Sequence, residues 1–398
     1  MQMESKRINI GYIREKHTSI IMKCVKNYGP LPRVDIVEKT GISRATVTRV
    51  VNDLIKEGIL IESDVTETKR GRHPVNVDIC ENALYAFGAN ISKNSLSIVM
   101  VDLKTNILAK TKQSIRGLSM AEELVSYIEH TIQQMIEENH VSRDRVLGLG
   151  VGVPGLVDSK KGVVKNFALG GKIMGIPLKE ILEARLQMQV IVDNNCNTWL
   201  FGESWNGFAL NKQDAIFILS SEGVGCGILR NGKICHEVND TAAGFGHVSV
   251  DLHGKRCSCG GYGCIETFCS TDAIEDIAEE LRQSLMPSDG ETHSGKRLSY
   301  LEIAQMVDKG DSLYASILME AANAMACGLV SVVNMHSPEL IILSGTLFEA
   351  SDFYYNMVVR ELKQRLTAGI SCPEIQRRDV SDALFEIGAA ATILQELF

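Results

Sequence analysis

Cys257, Cys259 and Cys264 lie within eight residues, in Cys257-Ser-Cys259-Gly-Gly-Tyr-Gly-Cys264. Thiolates at this spacing, with three glycines that let the backbone wrap around one point, predict a metal site. Zinc takes four ligands in a closed structural site, so a fourth is required. His247, in Gly246-His247-Val248, is a candidate, with His253 and Cys269 as rivals. With no open coordination position, such a site pins a loop and performs no chemistry of its own.

A second group of residues suits nucleic acid. Ser43 precedes a run whose apolar stripe is Val47, Val50, Val51, Leu54 and Ile55, the pattern of a capped amphipathic helix. Arg44, Ala45, Thr48, Arg49 and Asn52 face away from that stripe, and Ser43 and Thr46 complete the candidate contacts at the helix start. Arg and Asn suit bidentate base contacts, and Thr suits phosphates or thymine methyls. Further on, Lys69-Arg70-Gly71-Arg72-His73-Pro74 places Arg70 and Arg72 around a glycine, a pattern that fits a narrow minor groove.

Gly150-Val-Gly152-Val-Pro-Gly155 matches the dinucleotide fingerprint, but Leu156–Gly162 reads as a turn where a pyrophosphate-binding helix is needed. No Walker P-loop sequence occurs.

The elements around these residues divide the chain. Its 398 residues are enough for two or three domains. Residues 1–80 hold 14 Lys+Arg against 10 Asp+Glu, a net +4; the remaining 27 and 39 give −12. A basic head on an acidic body suggests a nucleic-acid-binding appendage. The head reads as helix (Ile13, Ile20, Ile21, Cys24, Val25), stop (Gly29–Pro32), short helix (Arg33–Lys39), turn (Thr40-Gly41), capped helix, and strands near Ile59–Ile61 and Val75–Ile79. That order is a winged helix-turn-helix.

From Tyr85 onward strands and helices alternate, so the body is α/β. Strands are expected at 86–89, 97–102, 146–153, 190–193, 215–220, 225–229 and 340–343, and helices at 121–139, 271–285, 312–335 and 383–397. No internal sequence repeat is visible. There is no run of about 18 uninterrupted apolar residues and no secretory leader pattern, and the eleven cysteines read as reduced thiols or metal ligands, which together place the chain in the cytoplasm.

Together these residues resemble the ROK family of sugar kinases and sugar-responsive repressors, and within it the branch of the xylose and N-acetylglucosamine repressors. The resemblance runs through Gly71-Arg72-His73-Pro74, Gly148-Leu-Gly-Val-Gly-Val-Pro-Gly-Leu-Val-Asp158, Asp193-Asn194-Asn195-Cys196-Asn197, Gly223-Val-Gly225-Cys-Gly227, Gly246-His247 and Cys257-x-Cys259-x4-Cys264-x-Glu266. It implies a two-lobed, actin-like (ribonuclease H-like) body with a sugar cleft between the lobes. The expected division is a head over 1–80, a first lobe over 81–193 joined by the C-terminal helix 383–398, and a second lobe with the metal loop over 194–382. It also implies that His247 is the fourth ligand of a structural Zn2+.

The resemblance further implies where kinase chemistry would reside. Family kinases place the base Asp third in Glu-Asn-Asp-x-Asn; here that position is Asn195, and an amide cannot act as general base. Asp193 belongs to the preceding element. The first phosphate loop, Asp-x-Gly-Gly-Thr in the kinases, reads Asn90-Ile91-Ser92-Lys93-Asn94; the second, Gly-Thr-Gly, reads Ser221-Glu222-Gly223; the adenine-side stretch reads Ser344-Gly345-Thr346. No ATP binding and no enzyme activity are expected. The sugar positions fall on Asn166, Asn194, Asn195, His247 and Glu266, while a sugar-contacting Glu of the family is replaced by Gly244.

The resulting expectation is a sugar-responsive repressor of carbohydrate-utilisation genes. It binds double-stranded operator DNA as a homodimer or homotetramer and a sugar or sugar derivative as effector, with no membrane partner. The alternatives are a working sugar kinase with a regulatory head, a regulator released by a protein partner, and a DNA-binding protein without a sugar site.

Overall fold

The computed structural model describes residues 16–64, 75–116, 121–169, 171–173, 175–236, 241–285, 297–379 and 383–398. The head comprises α1 (residues 16–28), β1 (Leu31–Pro32), α2 (Arg33–Thr40), α3 (Arg44–Lys56), β2 (Leu60–Asp64) and β3 (Val75–Ile79). Ser43 starts α3 by accepting a hydrogen bond from the Thr46 N–H, and Val47, Val50, Val51 and Leu54 form its buried stripe. Gly41 takes the left-handed φ of 68° that lets the chain leave α2 sharply. The three strands pair in the order β1-β3-β2, which completes a winged helix-turn-helix.

The first lobe contains β4 (Tyr85–Ile91), β5 (Ser95–Asp102), β6 (Ile107–Ser114), α4 (Ala121–Glu138), β7 (Val146–Val153), β8 (Leu156–Asp158), β9 (Val163–Leu169), β10 (Gly171–Ile173), α5 (Leu178–Leu186) and β11 (Gln189–Asn194). Then comes α6 (Asn195–Asn206). The second lobe contains β12 (Ala215–Ser220), β13 (Val224–Arg230), β14 (Lys233–Ile234), α7 (Glu266–Cys269), α8 (Thr271–Ser284), α9 (Tyr300–Asp308), α10 (Ser312–His336), β15 (Leu340–Ser344), α11 (Thr346–Ala350), α12 (Asp352–Arg365) and β16 (Glu374–Arg378). The chain closes with α13 (Leu384–Leu394).

The two large sheets have one topology. In the first, β4, β5 and β6 form an antiparallel meander, and β7 and β11 add in parallel beside β4. In the second, β12, β13 and β14 form the meander, and β15 and β16 add in parallel beside β12. The repeat that the residues do not show is a repeat of strand order. Core residues need only be apolar and of fitting volume, so two copies of a topology can share no sequence.

The glycines that imitate a dinucleotide fingerprint serve packing. A Cβ on Gly150 would sit 1.7 Å from the Ala389 carbonyl oxygen, so α13 lies directly on the first-lobe sheet only because that strand carries glycine. The same device joins α6 to α13, where a Cβ on Gly388 would meet the Thr198 carbonyl oxygen at 2.2 Å. Among the described residues, α10 is the one helix long and apolar enough to cross a membrane. Its Ile317, Leu318, Met325, Leu329 and Val333 are buried in the second-lobe core, where a helix of that composition belongs.

Candidate nucleic-acid interface and effector cleft

On the head, Arg44, Ala45, Thr48, Arg49, Asn52, Asp53 and Lys56 line an open groove along α3. Two of the residues expected there have local roles: Ser43 Oγ accepts from Thr46 N–H at 3.3 Å and shares a hydrogen bond with Thr46 Oγ1 at 2.9 Å. The expectation for Asn52 is modified by a neighbour. Its Oδ1 accepts from Arg33 Nη2 at 2.8 Å, which orients the amide and takes one of the two lone pairs of its oxygen. Arg70 and Arg72 lie outside the described residues.

In the second lobe, His247, Cys257, Cys259 and Cys264 converge, with all four ligand atoms within 4.8 Å of one another. The Cys259 and Cys264 sulfurs are 3.7 Å apart, and Cys257 Sγ is 3.6 Å from His247 Nδ1. Tetrahedral zinc with ordinary bond lengths puts its ligand atoms about 3.5–3.8 Å apart, so the set fits that ion. Gly261 N–H points at Cys259 Sγ at 3.4 Å and lowers its pKa, while burial pushes Cys264 up to about 12. The loop closes tightly: a Cβ on Gly263 would fall 1.7 Å from the Asp251 carbonyl oxygen. Of the rivals, Cys269 is buried in the second-lobe core with its thiol directed at the Ala321 carbonyl oxygen, 3.1 Å away, and His253 is exposed and is not among the four. None of the eleven cysteines is in a disulfide.

The end of β11 and the start of α6 carry a dense polar network. Asp193 is buried, and its Oδ1 accepts from Ser159 Oγ at 2.7 Å, Asn194 N–H at 2.7 Å and Asn197 Nδ2 at 3.0 Å. Its Oδ2 lies 2.6 Å from His236 Nε2. Asn194 is engaged at both ends of its amide: Nδ2 donates to the Gly155 carbonyl oxygen at 2.8 Å, and Oδ1 accepts from Cys196 N–H as the cap of α6. Asn195 is buried in the first helical turn. Asn197 Oδ1 is buried without a partner, an acceptor suited to a hydroxyl donor. His236 went unnoticed in the sequence, where no motif surrounds it; only the fold brings it to Asp193.

Other residues expected at the effector site meet at the start of β13. Glu266 Oε2 accepts from Val224 N–H at 3.1 Å, and a Cβ on Gly246 would sit 2.3 Å from the Val224 carbonyl oxygen. Cys196 Sγ lies against Gly225, where an added Cβ would be 2.6 Å away. Val224 and Gly225 therefore gather Glu266, the Gly246-His247 turn and the first turn of α6. Asn166 is exposed on β9, opposite Leu156 in register and next to the Gly155 that Asn194 holds. Around Gly244 an added Cβ would meet nothing within 4 Å.

The stretches that the family resemblance matches to phosphate loops make contacts within the protein. Asn90 Oδ1 accepts from Trp199 Nε1 at 3.2 Å, and Lys93 reaches across to Asp272 at the start of α8 with N···O 3.2 Å. Ser221 Oγ accepts from Thr346 N–H at 2.9 Å, which ties the second turn to α11.

Helix α6 touches every part of the molecule. Trp199 stacks on Phe385 at 4.1 Å, and Glu203, fully buried, accepts from Arg378 Nε at 2.6 Å and Nη2 at 3.1 Å. At its far end, Trp205 accepts a hydrogen bond from Lys26 Nζ at its carbonyl oxygen, 2.9 Å, and the same ammonium lies 3.8 Å over the indole. Burial, reinforced by the Lys23 charge, lowers Lys26 to about 8. Ile21, Val25 and Leu60 of the head share one core with Val99, Trp205, Leu394 and Phe398. The head is thus packed onto the body.

The winged helix-turn-helix DNA-binding model matches residues 16–61, and the ROK family model matches residues 87–396. The DNA-binding transcriptional repressor Mlc of Escherichia coli is 23% identical over 370 residues, covering 92% of this chain and 89% of that protein. A crystal structure of a ROK family transcriptional regulator, described as a homolog of E. coli MLC, superposes with a TM-score of 0.84 at 21% identity over 97% of both chains. The ROK hexokinase of Thermus thermophilus superposes with a TM-score of 0.66 at 21% identity, covering 78% of this chain and 97% of that one. Those likenesses show a fold shared by a regulator and a kinase. With the family's model matched over most of its length behind a winged helix-turn-helix, the chain belongs to the ROK family.

Proposed function

We propose that this chain is a sugar-responsive transcriptional repressor of carbohydrate-utilisation genes, with a body that has kept the kinase fold and given up phosphoryl transfer. The observation that carries the reading is α6. One end holds the Asn194–Asn197 motif and the other is packed into the head. A ligand that prefers another arrangement of the cleft has a rigid element through which to move α3, and it shifts DNA affinity only to the extent that it binds the two arrangements differently.

The residues proposed for DNA are Arg44, Thr48, Arg49 and Asn52 on α3, with Arg70 and Arg72 after the wing. Those proposed for the effector are Asn166, Asn194, Asn195, His247 and Glu266. A homodimer or homotetramer presenting two recognition helices to a palindromic operator in the cytoplasm completes the reading. His247, Cys257, Cys259 and Cys264 would hold Zn2+ as a closed structural cross-link with no catalytic position. The absence of phosphoryl transfer is supported by the amide at Asn195, by the four donors gathered on Asp193, and by the Lys93–Asp272 pair across the lobes.

The test is a shift assay with the DNA upstream of the chain's own gene. Binding is expected to be salt-dependent. Arg49→Ala should lose about 10-fold or more on specific DNA and much less on random DNA. In an ATP-coupled assay over a sugar panel, the wild type and Asn195→Asp should both stay at background; turnover by the wild type would overturn the reading.

A further inference from the structure

The side chain that most constrains how α3 can read a base belongs to α2. Arg33 Nη2 donates to Asn52 Oδ1 at 2.8 Å and to Glu62 Oε1 on β2 at 2.7 Å. One guanidinium therefore stitches together the helix before the turn, the recognition helix and the first strand of the wing. We infer that Arg33 is a specificity-determining positioning residue, which fixes Asn52 as a hydrogen-bond donor toward the major groove and makes the operator base facing it a guanine.

The chemistry follows from what each group can offer. A guanidinium has donors only, so the atom of Asn52 that faces it is the oxygen, and both Nδ2 protons are left for a ligand. Reading adenine with an amide takes the oxygen and the nitrogen together, one for N6–H and one for N7. Guanine instead offers N7 and O6, two acceptors side by side, which match the NH2 that Arg33 leaves wholly free, whereas adenine N6–H would have to share an oxygen that already accepts from a guanidinium. Asn52 is exposed on the face it shares with Arg44, Thr48 and Arg49, at helical spacing from each. Glu62 accepts from Arg33 on the wing side and biases the guanidinium toward Asn52.

This inference rests on the DNA-binding reading, and the experiment separates the two. Full-length wild type, Arg33→Met, Glu62→Ala and Asn52→Ala are each offered a randomised double-stranded DNA library, and the bound fraction is sequenced. The expected result is a motif with guanine at one position of each half-site, flattened in Asn52→Ala. Arg33→Met should accept adenine at that position, with the guanine preference falling about 5-fold or more. Glu62→Ala, a change at a partly exposed wing residue, should relax the same position to a smaller degree, so the test survives if Arg33→Met does not fold. Adenine at that position in the wild type, an unchanged preference in both Arg33→Met and Glu62→Ala, or a uniform loss on all sequences in Arg33→Met would overturn the inference and leave the DNA-binding reading standing. If the wild type enriches no sequence, both fail.

Discussion

The His247–Cys264 loop and the Asp193 cluster both gather polar side chains in the body, but they satisfy them in opposite ways. In the loop, three thiols and an imidazole lie within 4.8 Å of one another, with Cys257–His247 at 3.6 Å and Cys259–Cys264 at 3.7 Å, and none of the thiols is in a disulfide. Such a set would suit a bound Zn2+, which holds thiol ligands as thiolates. Around Asp193, the carboxylate has four donors of the chain's own, and Asn194 is bonded at both ends. The difference separates a cluster whose donors suit a cation from one whose polar groups bond mainly to each other. The loop residues suit an outside ion, whereas Asp193 and Asn194, in the stretch where the family resemblance puts phosphoryl transfer, bond within the chain and leave Asn197 Oδ1 as the unpartnered acceptor beside them.

The largest expected effect comes from breaking the loop. Chelation, or Cys257→Ser, should remove the metal and lower stability by roughly 5 kcal/mol or more, read as a fall in melting temperature with stoichiometric zinc release. The same loss should occur on acidification, because each ligand thiol must be deprotonated to bind and protons compete as pH falls. Metal content measured after dialysis at decreasing pH checks this.

Next comes the far end of α6, the helix that starts two residues after Asp193. Trp205→Ala removes a ring packed against Phe398 at 5.3 Å and covered by Lys26, at a cost of about 3–5 kcal/mol. Below its melting point this variant should still bind DNA but respond less to a cleft ligand, which a DNA titration with and without sugar would show.

Asp193→Asn is expected to cost about 1–3 kcal/mol, since Oδ1 keeps its three donors but loses the carboxylate charge, and an NH2 group replaces the acceptor that faces His236 Nε2. Denaturant unfolding measures it. An effect as small as that of an exposed ion pair would mean that the cluster is less closed than its hydrogen bonds suggest. The smallest change is Lys93→Ala. Lys93 and Asp272 are both more than half exposed, so the pair is worth at most about 1 kcal/mol, and its loss should alter cleft opening, read by hydrogen exchange near Ser92–Asn94, far more than global stability.

The two clusters were also unequally legible in the sequence. The cysteine spacing announces a metal site because thiolate chemistry requires local clustering, and the family resemblance supplies His247. The head was equally readable, since Ser43, the Val47–Leu54 stripe and Gly41 act over a few residues. Helix α6 gives no such signal: it is buried on nearly every side, so Asn195–Asn206 shows no amphipathic period. Strands β6 and β16 were missed as edge strands of mixed polarity. The bonds from Arg33 to Asn52, from His236 to Asp193 and from Lys26 to Trp205 join residues 19, 43 and 179 positions apart, pairings that no local pattern encodes.

The central proposal is that a sugar or sugar derivative bound to the body sets DNA affinity and is not phosphorylated there. It is tested most directly by the affinity of the full chain for DNA from upstream of its own gene, measured by fluorescence anisotropy with and without each of a panel of sugars and sugar phosphates. The account predicts that at least one of them weakens binding by about 5- to 150-fold, the usual range of coupling between two sites. An affinity for that DNA that no sugar or sugar phosphate changes would contradict it.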